Sequence, residues 1–132
     1  GIMGLHAALR WLEQETIDAV RSHELELTER FLSGALDIPH LRVIGRQDIA
    51  ERAGVVSVVP ENADPALVAD ALGREYGIMV RVGLHCAPNA HKTLGTFPTG
   101  TIRFSFGRWN TPQQVDTALS ALRELCGRTT WN

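Results

Sequence analysis

Apolar residues recur at helical spacing from the start of the chain: Ile2, Leu5, Leu9 and Leu12, continued by Val20, Leu27 and Phe31. Residues three and four apart share one face of an α-helix, so this rhythm predicts an amphipathic helix. No proline occurs before Pro39. The pattern fits one long helix or two that meet near Gln14–Thr16, and periodicity leaves both open. Leu41–Ile44 reads as a short strand. Gly54–Val59 is a β-branched run closed by Pro60, which predicts a buried strand. Asp64-Pro65 predicts a helix start: Asp accepts from orphaned N–H groups of the first turn, and Pro lacks an N–H where none is needed. Gly77 predicts the end of that helix, because glycine enters the left-handed region freely.

Ile78, Val80 and Val82 then alternate with Met79 and Arg81, the period of a strand. A loop punctuated by Gly and Pro follows from Gly83 to Gly100, with room for one helical turn near Asn89–Leu94. Thr101–Phe106 alternates again. Ile102, Phe104 and Phe106 lie on one face, Thr101, Arg103 and Ser105 on the other. Thr111-Pro112-Gln113-Gln114 is a capping box with Pro at the first helical position. Val115, Ala118, Leu119, Leu122 and Leu125 give the last helix a buried stripe, and Trp131-Asn132 is a short tail. The order of elements predicts an α+β fold, a small sheet covered by helices on one face. The other face is where Arg103 points.

The chain has 132 residues, enough for one domain. Its 13 basic and 15 acidic residues leave a net charge of −2 with no basic stripe, so nucleic acid is not an expected partner. No apolar run reaches the ~18 residues of a membrane span. Two cysteines, Cys86 and Cys126, are too few for a disulfide framework and fit a reducing, cytoplasmic setting. Every basic residue except Lys92 is an arginine. The chain enters a helical pattern directly at Gly1, which reads as a piece of a longer protein.

Residues 83–103 hold the candidate chemistry. Cys86 follows His85 in a glycine-flanked loop, with Arg81 and Arg103 close in sequence. Positive neighbours favour the thiolate, the reactive form of cysteine. The ordinary alternative is an inert buried thiol. Arg103 sits among apolar residues on its strand, and an arginine fork grips a carboxylate through paired hydrogen bonds. The ordinary alternative for Arg103 and Arg81 is a surface ion pair. A zinc site built on His85, Cys86 and His91 lacks a fourth ligand, so no metal is expected. Cys126 completes the apolar stripe of the last helix and reads as buried.

With these residues in place, a family resemblance emerges. Arg81-Val82-Gly83-Leu84-His85-Cys86-Ala87-Pro88 resembles the R-x-G-x-H-C-A segment of class V aminotransferases that act as cysteine desulfurases or selenocysteine lyases. Gly100-Thr101-Ile102-Arg103-Phe104-Ser105, followed by Trp109-Asn110-Thr111, resembles the strand and helix cap that come next. Gly1-Ile2-Met3-Gly4-Leu5 with Ala7-Ala8-Leu9 resembles the helix that follows the large domain.

The resemblance implies that residues 1–132 form the C-terminal small domain of a fold-type I enzyme, with a mostly antiparallel sheet. It implies pyridoxal 5′-phosphate (PLP) in the full-length enzyme, held by a lysine in an N-terminal domain that this chain lacks. No cofactor is expected on the present chain, which would be inactive alone. It implies that Cys86 takes sulfur from L-cysteine or selenocysteine as a persulfide and that His85 tunes its protonation. Arg103 would hold the substrate carboxylate, with Arg81 beside it. A homodimer and a protein sulfur acceptor are implied as partners. His91-Lys92 echoes the pair around the PLP lysine but follows the cysteine instead of preceding it, so Lys92 is read as a solvated loop residue. Two alternatives stay open. One is an aminotransferase or β-lyase in which Cys86 is incidental; the other is a non-catalytic interaction module.

Overall fold

The computed structural model describes residues 1–131. Helix α1 (Ile2–Glu15) and helix α2 (Ile17–Leu36) are separate, broken at Thr16. Thr16 takes φ 68, which no helix allows, and its hydroxyl accepts from the Ala19 N–H to start α2. Strands β1 (Leu41–Ile44) and β2 (Val55–Pro60) follow, then α3 (Pro65–Tyr76), β3 (Arg81–Gly83), α4 (Pro88–Thr93), β4 (Thr101–Ser105) and α5 (Pro112–Cys126). The predicted caps are present. Asp64 accepts from Ala66 N–H, Gly77 closes α3 in the left-handed conformation, and Thr111 and Gln114 form the reciprocal capping box.

The sheet runs in the order β1-β2-β4-β3, with every pairing antiparallel. Val56 and Val58 of β2 and Ile102 and Phe104 of β4 join one core with Leu27 and Phe31 of α2, Val68 and Leu72 of α3, and Val115 and Leu122 of α5. Helices α2, α3 and α5 therefore cover one face, as the alternation predicts. The expectation that β2 is buried holds for that face alone. Val55, Ser57 and Val59 are not buried, because their part of the second face is left open, whereas Thr101 on the same face of β4 is buried.

Two elements depart from the sequence reading. The strand expected over residues 78–82 is shorter and begins only at Arg81. After Gly77, the Ile78 N–H turns back to the Leu72 carbonyl, while Phe106 N–H bonds to Gly54 O on the far side of β4. Residues 78–80 therefore have no strand partner, although Ile78 and Val80 still pack on the core. Helix α1 has the predicted periodicity but buries none of its residues. It is tied to the body at its end, where Trp11 and Trp109 rings lie 5.3 Å apart and Arg108 bonds Glu15 at 2.8 Å.

Candidate active site

The site residues come from one hairpin, β3 and β4, joined by the loop that carries Cys86. Register sets the arrangement. Arg103 of β4 stands opposite Ser57 of β2 on one side and Arg81 of β3 on the other. Opposed residues of an antiparallel sheet point to the same face, so both guanidinium groups share the uncovered side. Like charges so placed oppose each other by about 0.2–1 kcal/mol. Neither arginine has a carboxylate partner among the described residues, whereas Arg30, Arg74, Arg108 and Arg128 each hold one. The ordinary alternative of a surface ion pair is thereby removed. The Arg103 Nε is buried without a hydrogen-bond partner.

Cys86 is exposed and free, so the inert buried thiol is not what the fold makes of it. It lies in a tight turn in which Ala87 N–H donates to Leu84 O at 2.8 Å. The two central residues, His85 and Cys86, take φ 50 and φ 62. Two positive φ values within an i to i+3 bond mark a type I′ turn, the geometry that glycine and asparagine normally fill. Ordinary L-residues held there store strain, and strain of this kind concentrates at functional turns. Beneath the turn, Gly83 and Gly100 pass so close that a methyl on Gly100 would come within 2.2 Å of the Gly83 carbonyl. The hairpin closes at that point because Gly100 has no side chain.

The His85 Nε2 is 3.3 Å from the Thr101 hydroxyl, and its Nδ1 is buried with no partner. Burial first, then the positive charges of Arg103, His91 and Arg81, push its pKa below the ordinary histidine value. His85 is therefore held toward its uncharged form more strongly than an ordinary histidine. Cys126 is buried on α5 as expected, and burial raises its thiol to about 11. Lys92 lies on α4, the helical turn expected near Asn89–Leu94. It is exposed, with its Nζ 5.3 Å above the Phe97 ring. No group of three or more His, Cys, Asp or Glu residues is placed to hold a metal ion among the described residues.

Sequence reasoning found Cys86, His85, Arg81 and Arg103, and the fold brings them to one hairpin. It missed Ser57, whose strand register with Arg103 cannot be read locally. It put Thr101 on the polar face without a role, yet Thr101 is 2% exposed and meets His85. A cavity of about 440 Å³ lies away from Cys86, between Met79, Ser105 and the start of α5. It marks where β3 fails to extend along β4.

The Cys86 thiol is thus exposed on a strained turn, and the same hairpin carries two arginines without carboxylate partners among the described residues. The profile of the aminotransferase class-V family matches residues 1–118. The chain belongs to that family. It is 34% identical to a cysteine desulfurase of Synechococcus elongatus over 93% of this chain and 19% of that protein. Its fold is similar to the apo cysteine desulfurase of Thermococcus onnurineus NA1, with a TM-score of 0.88 and 33% identity over 96% of this chain and 30% of that one. It is also similar to a cysteine desulfurase of Escherichia coli, with a TM-score of 0.82 and 28% identity over 94% and 29% of the two chains. The chain thus spans between 19% and 30% of the length of these relatives.

Proposed function

We propose that this chain is the cysteine-bearing small domain of a PLP-dependent cysteine desulfurase. The observation that carries the reading is the exposed Cys86 on its strained turn, on the same hairpin as two arginines that lack internal partners. An amino-acid substrate offers what these groups need. Its carboxylate satisfies Arg103, with Arg81 as the second cation, and its sulfur is the target for Cys86. L-Cysteine and selenocysteine both meet that description.

The residues present fit the substrate and not the cofactor. Lys92 is the one lysine, and it is solvated on α4 over Phe97. PLP would be held by a lysine in the remainder of a full-length protein, where it serves as an electron sink for the amino acid. On this chain, the Cys86 thiolate attacks the substrate sulfur. A sulfur–sulfur bond forms and the substrate carbon–sulfur bond breaks. Its electron pair stays on the carbon, which takes up a proton and leaves as alanine. Cys86 is left as a persulfide, which passes its outer sulfur to an acceptor protein in a reducing, cytoplasmic setting. His85, next to Cys86 in the turn, tunes the protonation of the thiol. A homodimer is the expected assembly of the full-length enzyme, and the isolated chain is expected to be inert toward cysteine.

The test is Cys86→Ser in the full-length protein. Persulfide on the enzyme and alanine production from cysteine should both vanish, while the PLP absorbance remains. Undiminished alanine production would sink the role of Cys86, and keto-acid or pyruvate formation indifferent to the substitution would favour a transaminase or β-lyase that does not use the thiol.

A further inference from the structure

His91 belongs to neither the arginine row nor the thiol turn, yet it is only 6% exposed on a helix whose other residues are all exposed. Its bonds cross the loop. Its N–H donates to Ala87 O, and its own carbonyl accepts from Thr96 N–H at 2.9 Å and from Phe97 N–H at 3.2 Å. Its ring Nδ1 lies 2.7 Å from the Thr96 hydroxyl. That length suits an O–H donor better than an N–H donor. Thr96, 4% exposed, carries the connection onward: its carbonyl accepts from Gly100 N–H at 2.7 Å, where Gly100 meets Gly83. The imidazole also backs the His85 ring at 6.0 Å between centroids. One continuous set of contacts therefore runs from Ala87, at the end of the thiol turn, to the glycine contact that closes the hairpin.

We infer that His91 and Thr96 are positioning residues: together they staple the loop across its base and hold the His85–Cys86 turn in its left-handed conformation. The inference rests on the proposed role of Cys86 for its purpose, but its geometry stands apart from that role. Neither residue touches the arginine row, and neither is given a chemical step. The turn needs such support because His85 and Cys86 do not favour positive φ by themselves. A buried hydrogen bond between two side chains of the loop supplies a restraint that the turn residues lack.

The experiment uses Thr96→Val, Thr96→Ser and His91→Ala in the 132-residue chain, with labelled protein and NMR. In the parent, the Cα and Cβ shifts of His85 and Cys86 report left-handed backbone. Thr96→Val removes the hydroxyl at nearly constant volume. It should move those shifts toward averaged values and speed exchange of the Ala87 amide by about fivefold, the effect of losing one buried hydrogen bond. His91→Ala should do the same. It should also raise the pH at which the His85 ring protonates, since it removes part of the cover that disfavours the charged ring. Thr96→Ser, which keeps the hydroxyl, should restore the parent values. Signals from β1, β2 and α5 should stay in place throughout.

Left-handed shifts retained in Thr96→Val would overturn the inference. Equal perturbation of the turn and of the distant core would overturn it too, by making the pair a general structural support. Should His91→Ala fail to fold, the two Thr96 variants decide alone. None of these readouts depends on sulfur transfer, so the desulfurase reading and the staple fail separately.

Discussion

His85 and Cys86 occupy a turn whose backbone was not built for their side chains. Each L-residue in the left-handed region costs about 1–2 kcal/mol, and asparagine and glycine relieve most of that cost. The double variant His85→Asn, Cys86→Gly should therefore raise stability by about 1 kcal/mol while removing the thiol. Chemical denaturation measures the first and loss of thiol labelling the second. A less stable variant would mean that the turn is not strained. His85 also makes a prediction for pH. Its folded pKa is depressed, so the unfolded chain binds its proton first as acid is added. The contribution is complete above the ordinary histidine value near 6.5 and is lost as pH falls below it toward the folded value. Stability should decline already across that window, at higher pH than any loss from Asp48, Glu75 and Asp116, whose carboxyls are held below the ordinary carboxylate value by Arg46, Arg128 and Arg30. His85→Gln should remove the early part of the decline in denaturation series at pH 5–7, and an unchanged curve would contradict the assignment.

At the scale of elements, the β3–β4 hairpin depends on the approach of Gly83 to Gly100. Gly100 takes φ 80, and a methyl there would meet the Gly83 backbone at 2.2 Å. Backbone cannot yield as a side-chain tip can, so Gly100→Ala should cost at least about 2 kcal/mol and disturb the thiol turn. Gly73→Ala, in α3 where nothing lies within 4 Å, should stabilise by up to about 1 kcal/mol. Thermal melts of both variants check the contrast. The same hairpin shows what the sequence makes legible. Caps such as Asp64-Pro65 and Thr111–Gln114 are local, and they were readable without the fold. The motif around Cys86 was readable because its residue types are adjacent. The extent of β3 was not, because alternation over Ile78–Val82 describes which way side chains point, not whether a partner strand exists. That partner is withdrawn by events elsewhere: the α3 terminus recruits Ile78, and Phe106 pairs with Gly54. Ser57 beside Arg103, and Thr96 beneath His91, were illegible for the same reason. Their partners are set by sheet register and by a loop that folds back on itself.

For the whole molecule, cooperative stability lies between the sheet and α2, α3 and α5, while α1 contributes little to it. Phe31 of α2 is fully buried, with its ring 4.6 Å from that of Phe104 and 5.2 Å from that of Phe106. Removing it should cost about 3–5 kcal/mol, since both the transferred surface and the cavity left behind count against the fold. On α1, Ile2 is 86% exposed, Leu5 62% and Leu9 53%, so their apolar surface is not withdrawn from water in this chain. The double change Leu5→Ser, Leu9→Ser should therefore shift stability by no more than about 1 kcal/mol, mostly through helix propensity. The two sets differ in spectroscopy as well. Trp11 on α1 meets Trp109 next to β4 in a tilted ring contact, so tryptophan fluorescence reports whether the end of α1 stays docked. In Phe31→Ala the fluorescence and circular-dichroism transitions should move together to lower denaturant. In Leu5→Ser, Leu9→Ser both should remain where they are in the parent, with a modest loss of helical signal before the transition. A large destabilisation from the α1 variant would mean that the apolar stripe, solvated in this fold, is buried in solution, and the boundary of the cooperative unit would have to be redrawn to include it.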